Sequence, residues 1–482
     1  MDATEPRSFR NNVRGGFAWL VGLMIFRDVM QFGLMLVLTR LLSPAAYGQF
    51  GVVTAILTFA NVFSFRSFLE HTLQVRGVEP DYQTHFTMGV AFQASLTAFM
   101  NLLALALART TRFAPVAPLL HAMSALFLLE WMSELRVRML EWRLDWRRLR
   151  MLQACGLCLY SSAALSLAVS GAGVWSLLLP SLLVTLPMIY DLLVREGWRP
   201  DWTFNAATYM AAKRWGLARI GSGAAQTGRP LIENTLFAQM AGFAALGFFG
   251  RATGLAQLAC LRIPTLLTTA LFPVLTRLEP NTDRYRRAAD LVLCAAAWAV
   301  VPVASILALL AAPVIQIVYG ARWLPAAPLL PLTLASAGLA ALTQVSSTLL
   351  LGNLQPRVCA INDLLMLSGT AASLFLLLPI GPAAYLSGVI CVNTASLLLA
   401  LFWLRRTGAI SLAGIRHALQ MPAASVLAAF LLMKWLPPLA GAALTVILAA
   451  PLLRLLSPGP LSEVLHFCPG TGRLRRLLWL PA

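Results

Sequence analysis

LARIGSGAAQTGRPLIENTLFAQM, residues 217–240, is an apolar segment of membrane-spanning length that nevertheless carries charge. Within it Arg219, Ser222, Gln226, Arg229 and Glu233 follow one another at steps of three, four, three and four. That spacing places all five on one face of a helix. At about 1.5 Å per residue the polar stripe runs roughly 21 Å along the axis. Each Arg or acid at mid-membrane costs about 2.5–3.5 kcal/mol on insertion scales. The stripe is therefore expected to line a wet cavity or to pair with other charges, and not to face lipid. Pro230 interrupts it and leaves the Gln226 carbonyl without its helical donor, which predicts a kink there.

The residues that follow reveal a repeat. Positions 244–259 read AALGFFGRATGLAQLA and positions 45–60 read AAYGQFGVVTAILTFA, an offset of 199. Ala, Ala, Gly, Phe, Gly, Thr and the last Ala agree, seven of sixteen positions. This reads as an internal duplication of two membrane bundles. Where the first copy has Val52, the second has Arg251.

Working outward, the whole chain has the same character. Of 482 residues, 59% are hydrophobic and 12% charged, which excludes a disordered chain and an ordinary soluble protein. Apolar runs of membrane length recur throughout, so the expected fold is all-α and polytopic. Fourteen spans are predicted: 15–39, 45–65, 86–108, 113–134, 151–170, 173–194, 213–240, 244–274, 289–318, 325–351, 357–379, 383–404, 418–435 and 437–455. The first contains Arg27 and Asp28 and lacks a small-residue cleavage site, so it is expected to stay as a helix and not be removed as a signal peptide.

Charge distribution orients the chain. With a cytoplasmic N-terminus, 27 of the 37 Lys and Arg fall in inside segments, 5 in outside segments and 5 within spans. This asymmetry predicts that both termini are cytoplasmic. The net charge of +18 then faces the anionic inner leaflet, and nucleic acid is not expected as a partner. The offset of 199 covers six spans, an even number, so the two copies are expected to run parallel. The organisation read from this is an N-lobe at 1–199, a C-lobe at 200–406, and two added helices with a tail at 407–482. Cytoplasmic residues 135–150 carry Trp142 and Trp146 among arginines and suit a helix lying at the interface.

The ionisable residues expected to face an internal cavity are Arg27, Asp28, Arg219, Arg229, Glu233, Arg251, Arg262 and Asp363, five positive against three negative. Arg251 and Arg262 are eleven residues apart and share a helix face. Facing lipid, the eight would cost roughly 20–28 kcal/mol, more than a typical net stability of about 5–15 kcal/mol. One reading is structural pairing, Arg27 with Glu233 or Arg229 with Asp363. The other is a net-positive cavity that holds an anion, since the arginine fork matches phosphate. Gln49, Asn61, Gln344, Asn362 and Asn393 are expected to form interhelical hydrogen bonds. The seven Cys give no disulfide framework, and Cys155-x-x-Cys158 on an apolar helix is read as core. No metal, cofactor or catalytic set is expected: the five His are scattered and no nucleotide-binding glycine loop occurs.

LTRLLSPAAYGQFGVV (38–53), GAGVWSLLL (171–179), AALGFFGRATGLAQL (244–258), LFPVLTRL (271–278) and YGARWLPAAPLLPLTLASAGL (319–339) together resemble the polysaccharide transporter branch of the multidrug/oligosaccharidyl-lipid/polysaccharide flippase superfamily. The resemblance implies two six-helix lobes around a central cavity, two extra helices, and flipping of a polyprenyl-pyrophosphate-linked oligosaccharide across the bacterial inner membrane. Arg27-Asp28 resembles an Arg-Asp pair that the family's lipid II flippases carry in helix 1, and Arg251 or Arg262 is the candidate for an Arg in helix 8. The partners it implies are an anionic lipid-linked oligosaccharide, inner membrane lipids, a glycan polymerase and glycosyltransferases. A cation-coupled drug exporter of the same fold would need an acid-dominated cavity. A membrane-integral sugar polymerase or ligase would need a large outer loop, and the outside loops here are short.

Overall fold

The computed structural model of the chain describes residues 26–64, 66–69, 80–110, 112–275, 277–280 and 282–435. These form helices and turns, with no strand among the described residues. In chain order the long helical runs are α1 (26–41), α2 (Pro44–Val62), α3 (Tyr82–Ala108), α4 (Ala114–Trp142), α5 (Trp146–Val169), α6 (Trp175–Arg195), α7 (206–241), α8 (243–275), α9 (Asp283–Leu309), α10 (Ala321–Gly352), α11 (Pro356–Leu377), α12 (Pro382–Arg406) and α13 (Leu412–Trp435). Among the described residues ten helices are long and apolar enough to cross a membrane, with 227–262 counted as one. The expected fourteenth span, 437–455, lies outside the described residues, as do the N-terminal arm and the C-terminal tail.

Local chemistry sets most of the boundaries. Ser43 caps α2, accepting from the Ala46 N–H at 3.3 Å, and Pro44 follows at the first helical position, where its missing N–H costs nothing. Asp81, Asp145 and Thr282 cap α3, α5 and α9 in the same way. Torsions stay helical through Pro230, where the sequence predicts a kink; the chain leaves them at Gly242 (φ 88°, ψ 165°), between the two expected spans. Residues 135–150 do not make a separate interfacial helix. Residues 135–142 continue α4, Leu144 turns the chain at φ 57°, and α5 starts at Trp146.

The chain divides into two compact units, Met1–Gly247 and Phe248–Ala482, with the boundary inside α8. In the first unit Phe68, Leu69, Tyr82, Phe86, Trp131, Leu135, Met139 and Leu192 form one core cluster. In the second, α9, α10, α12 and α13 share a core that includes Tyr285, Leu293, Val345, Leu349, Ala400 and Leu404. Two polar ties cross that core: Asn393 Nδ2 donates to the Ser336 carbonyl at 3.1 Å and hydroxyl at 3.0 Å, and Ser396 Oγ donates to Asn362 Oδ1 at 2.8 Å. Asn362 and Asn393 thus have the interhelical role expected of them.

The duplicated motif makes its own contact within the first unit. The offset of 199 carries Pro44 onto Phe243 and Gly48 onto Gly247. A Cβ on Gly48 would overlap the carbonyl oxygen of Phe243, and a Cβ on Gly247 would overlap the carbonyl oxygen of Pro44. The contact is therefore reciprocal: each copy's glycine receives the backbone of the other copy four residues before the other glycine. Only a residue without a side chain lets two helix backbones meet this closely. Around the crossing, Asn234 Nδ2 donates to the Gly51 carbonyl at 3.3 Å, Arg112 Nη1 donates to the Gln239 carbonyl, and Phe113 meets Phe243 edge to face at 6.3 Å.

Candidate functional site

Four helices of the first unit, α2, α4, α5 and α6, line a partly open cavity of about 230 Å³. Its wall is largely apolar, with Phe50 and Leu57 from α2 and Leu126 and Phe127 from α4. Polar groups converge on it from each helix: Thr54, Thr58 and Asn61, then Glu130, Tyr160 and Ser181. Asn61 Nδ2 donates to Glu130 Oε2 at 3.1 Å, and the Tyr160 hydroxyl reaches the Leu177 carbonyl at 3.4 Å. Pro180 and Pro187 break α6 into short turns beside this wall, and Ser181 and Thr185 hydroxyls donate to the Leu178 and Leu182 carbonyls.

Glu130 is absent from the ionisable set read from the sequence. Its signal was there: residues 113–129 carry no Asp, Glu, Lys or Arg, so it is the first charge inside an apolar run. Glu134, Asp191 and Asp290 also fall within the predicted spans 113–134, 173–194 and 289–318, so with Glu130 the acids rise from three to seven against five arginines, and the arginine excess disappears.

Beyond the cavity, the C-terminal ends of α4 and α6 and the start of α5 are tied by an ionic network. The Arg136 side chain is fully buried; Nε donates to Asp191 at 2.7 Å and Nη2 to Glu196 at 2.9 Å. Arg148 reaches the other oxygen of Asp191 at 2.8 Å, and Arg143 reaches Glu196 at 2.5 Å. Arg138 bridges Glu134 at 2.7 Å and Glu141 at 2.6 Å. The Arg143 hydrogen bond, opposed by partial burial and aided by Arg136, holds the Glu196 carboxyl below its usual range. These partners explain how Arg136 can be buried with its charge.

The sequence-predicted site residues divide between the units. Arg27, Asp28, Arg219, Arg229 and Glu233 belong to the first, and Arg251, Arg262 and Asp363 to the second. Arg27 and Asp28 are brought together at 3.3 Å, both well exposed. Arg219 lies on α7, with a side chain outside the described residues. Arg229 and Glu233 are half-buried one turn apart on α7. The same helix places Gly216 against Phe68 and Gly223 against Val62. Arg251 is half-buried on α8, and its carbonyl accepts from the Tyr319 hydroxyl at 3.4 Å. Arg262, on the same face by spacing, is exposed. Asp363 is exposed on α11, beside the buried Asn362. Cys155 and Cys158 are exposed and not in the core as read from sequence, because α5 turns that face outward.

A family described as "Polysaccharide biosynthesis protein" matches residues 37–328. The succinoglycan biosynthesis transport protein ExoT of Rhizobium meliloti (strain 1021) is 24% identical over 327 residues, 66% of this chain and 66% of that protein. The match therefore spans just under two thirds of that relative's length. Among solved structures, the chain is similar to the lipid II flippase MurJ in an inward closed conformation, with a TM-score of 0.63, 11% identity, and coverage of 91% of this chain and 98% of that one. It is also similar to an inward-facing multidrug resistance MATE family transporter of the MOP superfamily, with a TM-score of 0.56, 14% identity, and coverage of 82% and 98%. At these identities the likeness shows a shared fold.

Proposed function

This chain belongs to the polysaccharide biosynthesis protein family, a multi-pass helical membrane protein of transporter fold, and from that premise we propose that it flips a polyprenyl-pyrophosphate-linked oligosaccharide across the bacterial inner membrane. The observation that carries this reading is the charged seam of α7, where Arg229 and Glu233 sit half-buried in a membrane-length helix. A neutral glycan alone would not call for arginine inside a bilayer, whereas a pyrophosphate anchor does. In this reading Arg229 contacts the pyrophosphate, and Glu233 neutralises it between cargoes. Arg219, Arg251, Arg262, Asp363 and the Arg27-Asp28 pair supply further charge along the path. The sugar crosses in water while the lipid tail stays in the bilayer. Two lobes, α1–α6 and α7–α12, alternate access, with both termini cytoplasmic. ExoT's part in succinoglycan biosynthesis transport supports a glycan cargo.

The test is glycan export in a strain lacking the native protein, with membrane levels of each variant measured. A charge-assisted contact of about 1.5–3 kcal/mol corresponds to roughly ten- to hundredfold, so Arg229→Ala is expected to lower export at least tenfold at normal protein level. Arg229→Lys keeps the charge but loses the fork and is expected to restore export only in part. Normal export by Arg229→Ala at normal level would end the substrate role.

A further inference from the structure

The sequence repeat groups α7 with the helices that follow it, whereas its contacts tie it to those that precede it. The connection that leads into α7, residues 196–205, is stitched to the start of α3. Gln83 uses both ends of its amide there: Nε2 donates to the Arg199 carbonyl at 3.0 Å, and Oε1 accepts from the Asp201 N–H at 2.8 Å. Thr84 Oγ1 accepts from the Asn205 N–H at 2.9 Å. Phe86 packs on Trp198 and Trp202 at 5.3 and 5.5 Å. A connection that served as the hinge between two moving bodies would carry few such ties.

Along α7 the grip continues. Tyr209 and Ile220 pack against the core of the first unit. A Cβ on Gly216 would lie 2.6 Å from the Phe68 ring, and one on Gly223 would lie 2.9 Å from Val62 Cγ1. Further on, Asn234 donates to the Gly51 carbonyl. Gly216, Ile220, Gly223 and Asn234 are separated by four, three and eleven residues, which is one face of a helix. Arg219, Ser222 and Glu233 each stand one residue before a member of that face, so the charged stripe lies about 100° around the helix from it. The change of partner falls at one peptide bond. Gly247 receives Pro44, whereas Phe248 meets Trp323 at 5.9 Å and Phe249 meets Tyr385 at 6.2 Å.

We propose that Gly216 and Gly223 are notches that fasten α7 to the first unit throughout the transport cycle, so that the charged stripe travels with α1–α6. The mobile part then begins after Gly247, and not after α6 as the repeat alone would have it. That the fastening lasts through the cycle rests on the flippase reading. Its physical basis is close packing, which is what holds helices together in lipid. Parting α7 from α2 would empty both notches and leave the Asn234 amide and the Gly51 carbonyl without each other.

Disulfide trapping tests this. A Cβ on Gly223 would lie 3.7 Å from Val62 Cβ, within the roughly 3.5–4.5 Å that a disulfide needs. Val62→Cys with Gly223→Cys is placed in the full-length chain with its seven native cysteines replaced by alanine, once export by that background has been verified. Oxidation is followed by loss of maleimide labelling, and glycan export is measured before and after reduction. Near-complete crosslinking with unchanged export is expected. Export that collapses on oxidation and returns on reduction overturns the fastening, because α7 would then have to leave α2 to complete a cycle. Phe68→Cys with Gly216→Cys repeats the test at the other notch and carries it if the first pair does not accumulate. Failure of both pairs to crosslink in folded protein overturns the placement of α7. Gly223→Val should lower export at normal protein level, and Val62→Gly in the same chain should restore it by exchanging knob and notch; a loss that Val62→Gly does not relieve overturns the role given to Gly223. Normal export by Arg229→Ala would end the cargo role and leave the crosslinking result standing, so the two readings fail separately.

Discussion

The two copies of the repeated motif, in α2 and α8, differ in what they do with one position. Both copies keep the glycines that meet backbone to backbone, Gly48 on Phe243 and Gly247 on Pro44. At the next turn the first copy has Val52, wholly buried, and the second has Arg251, half-buried. The two motifs share this steric requirement and differ in charge. A carbonyl oxygen against a missing Cβ leaves no room for change on either side. One turn beyond the crossing on the same face the backbones are no longer in contact, and there one copy has packed while the other has taken a cation. Close contact and chemistry are thus separable along a single helix, within a few residues of each other.

The strongest way to break this comparison is to force the second copy's charge on the first. Val52→Arg would place an uncompensated cation in a site with no exposure, at a cost on the order of 3–5 kcal/mol. The expected result is little folded protein in the membrane, measured by fluorescence-detected size exclusion. A normal level would mean that the first copy tolerates charge as the second does.

Next in size are the crossing glycines. Gly48→Ala and Gly247→Ala should each cost about 1–3 kcal/mol by overpacking against backbone, read as a lowered unfolding temperature in detergent. The double variant should cost less than the two losses added, because the first substitution already separates the helices. Gly250 has nothing near its missing Cβ, so Gly250→Ala should be neutral or mildly stabilising, by up to about 1 kcal/mol from helix propensity. Equal losses at 48 and 250 would refute the crossing as the reason for the conserved spacing within the chain.

The smallest effect on folding is expected at Arg251→Val, which makes the second copy like the first. A half-buried arginine replaced by a compact apolar residue should change stability by no more than about 1 kcal/mol. Export should nevertheless fall if the cation serves the cargo path. Normal export from this variant would make Arg251 a structural residue and leave the α7 seam as the cationic part of the path.

These regions were legible from the sequence to different degrees. Helix after helix was legible from apolar run length, because hydropathy acts over a few residues; the caps at Asp81, Asp145 and Thr282 were not read, and α3, α5 and α9 start four to six residues before the predicted spans. The break between α7 and α8 was expected near residues 240–244 and falls at Gly242. The interhelical roles of Asn362 and Asn393 were expected from a simple rule, that amides in lipid must find partners. The candidate site was less legible. Glu130 was passed over although its apolar flanks marked it, and the burial of Arg136 ran against the expectation of an exposed basic loop.

Composition, periodicity and the duplicated motif by themselves determined an all-helical membrane protein with charge inside its spans, since solvation and helix period are local properties that add along the chain. Which helix meets which was decided by tertiary structure alone. That Asn61 reaches Glu130 across 69 residues, that Arg136 finds Asp191 across 55, and that two glycines 199 positions apart trade places against each other's backbone depends on packing between distant segments. No short-range rule encodes such contacts, because their energy exists only once both partners are already held in place.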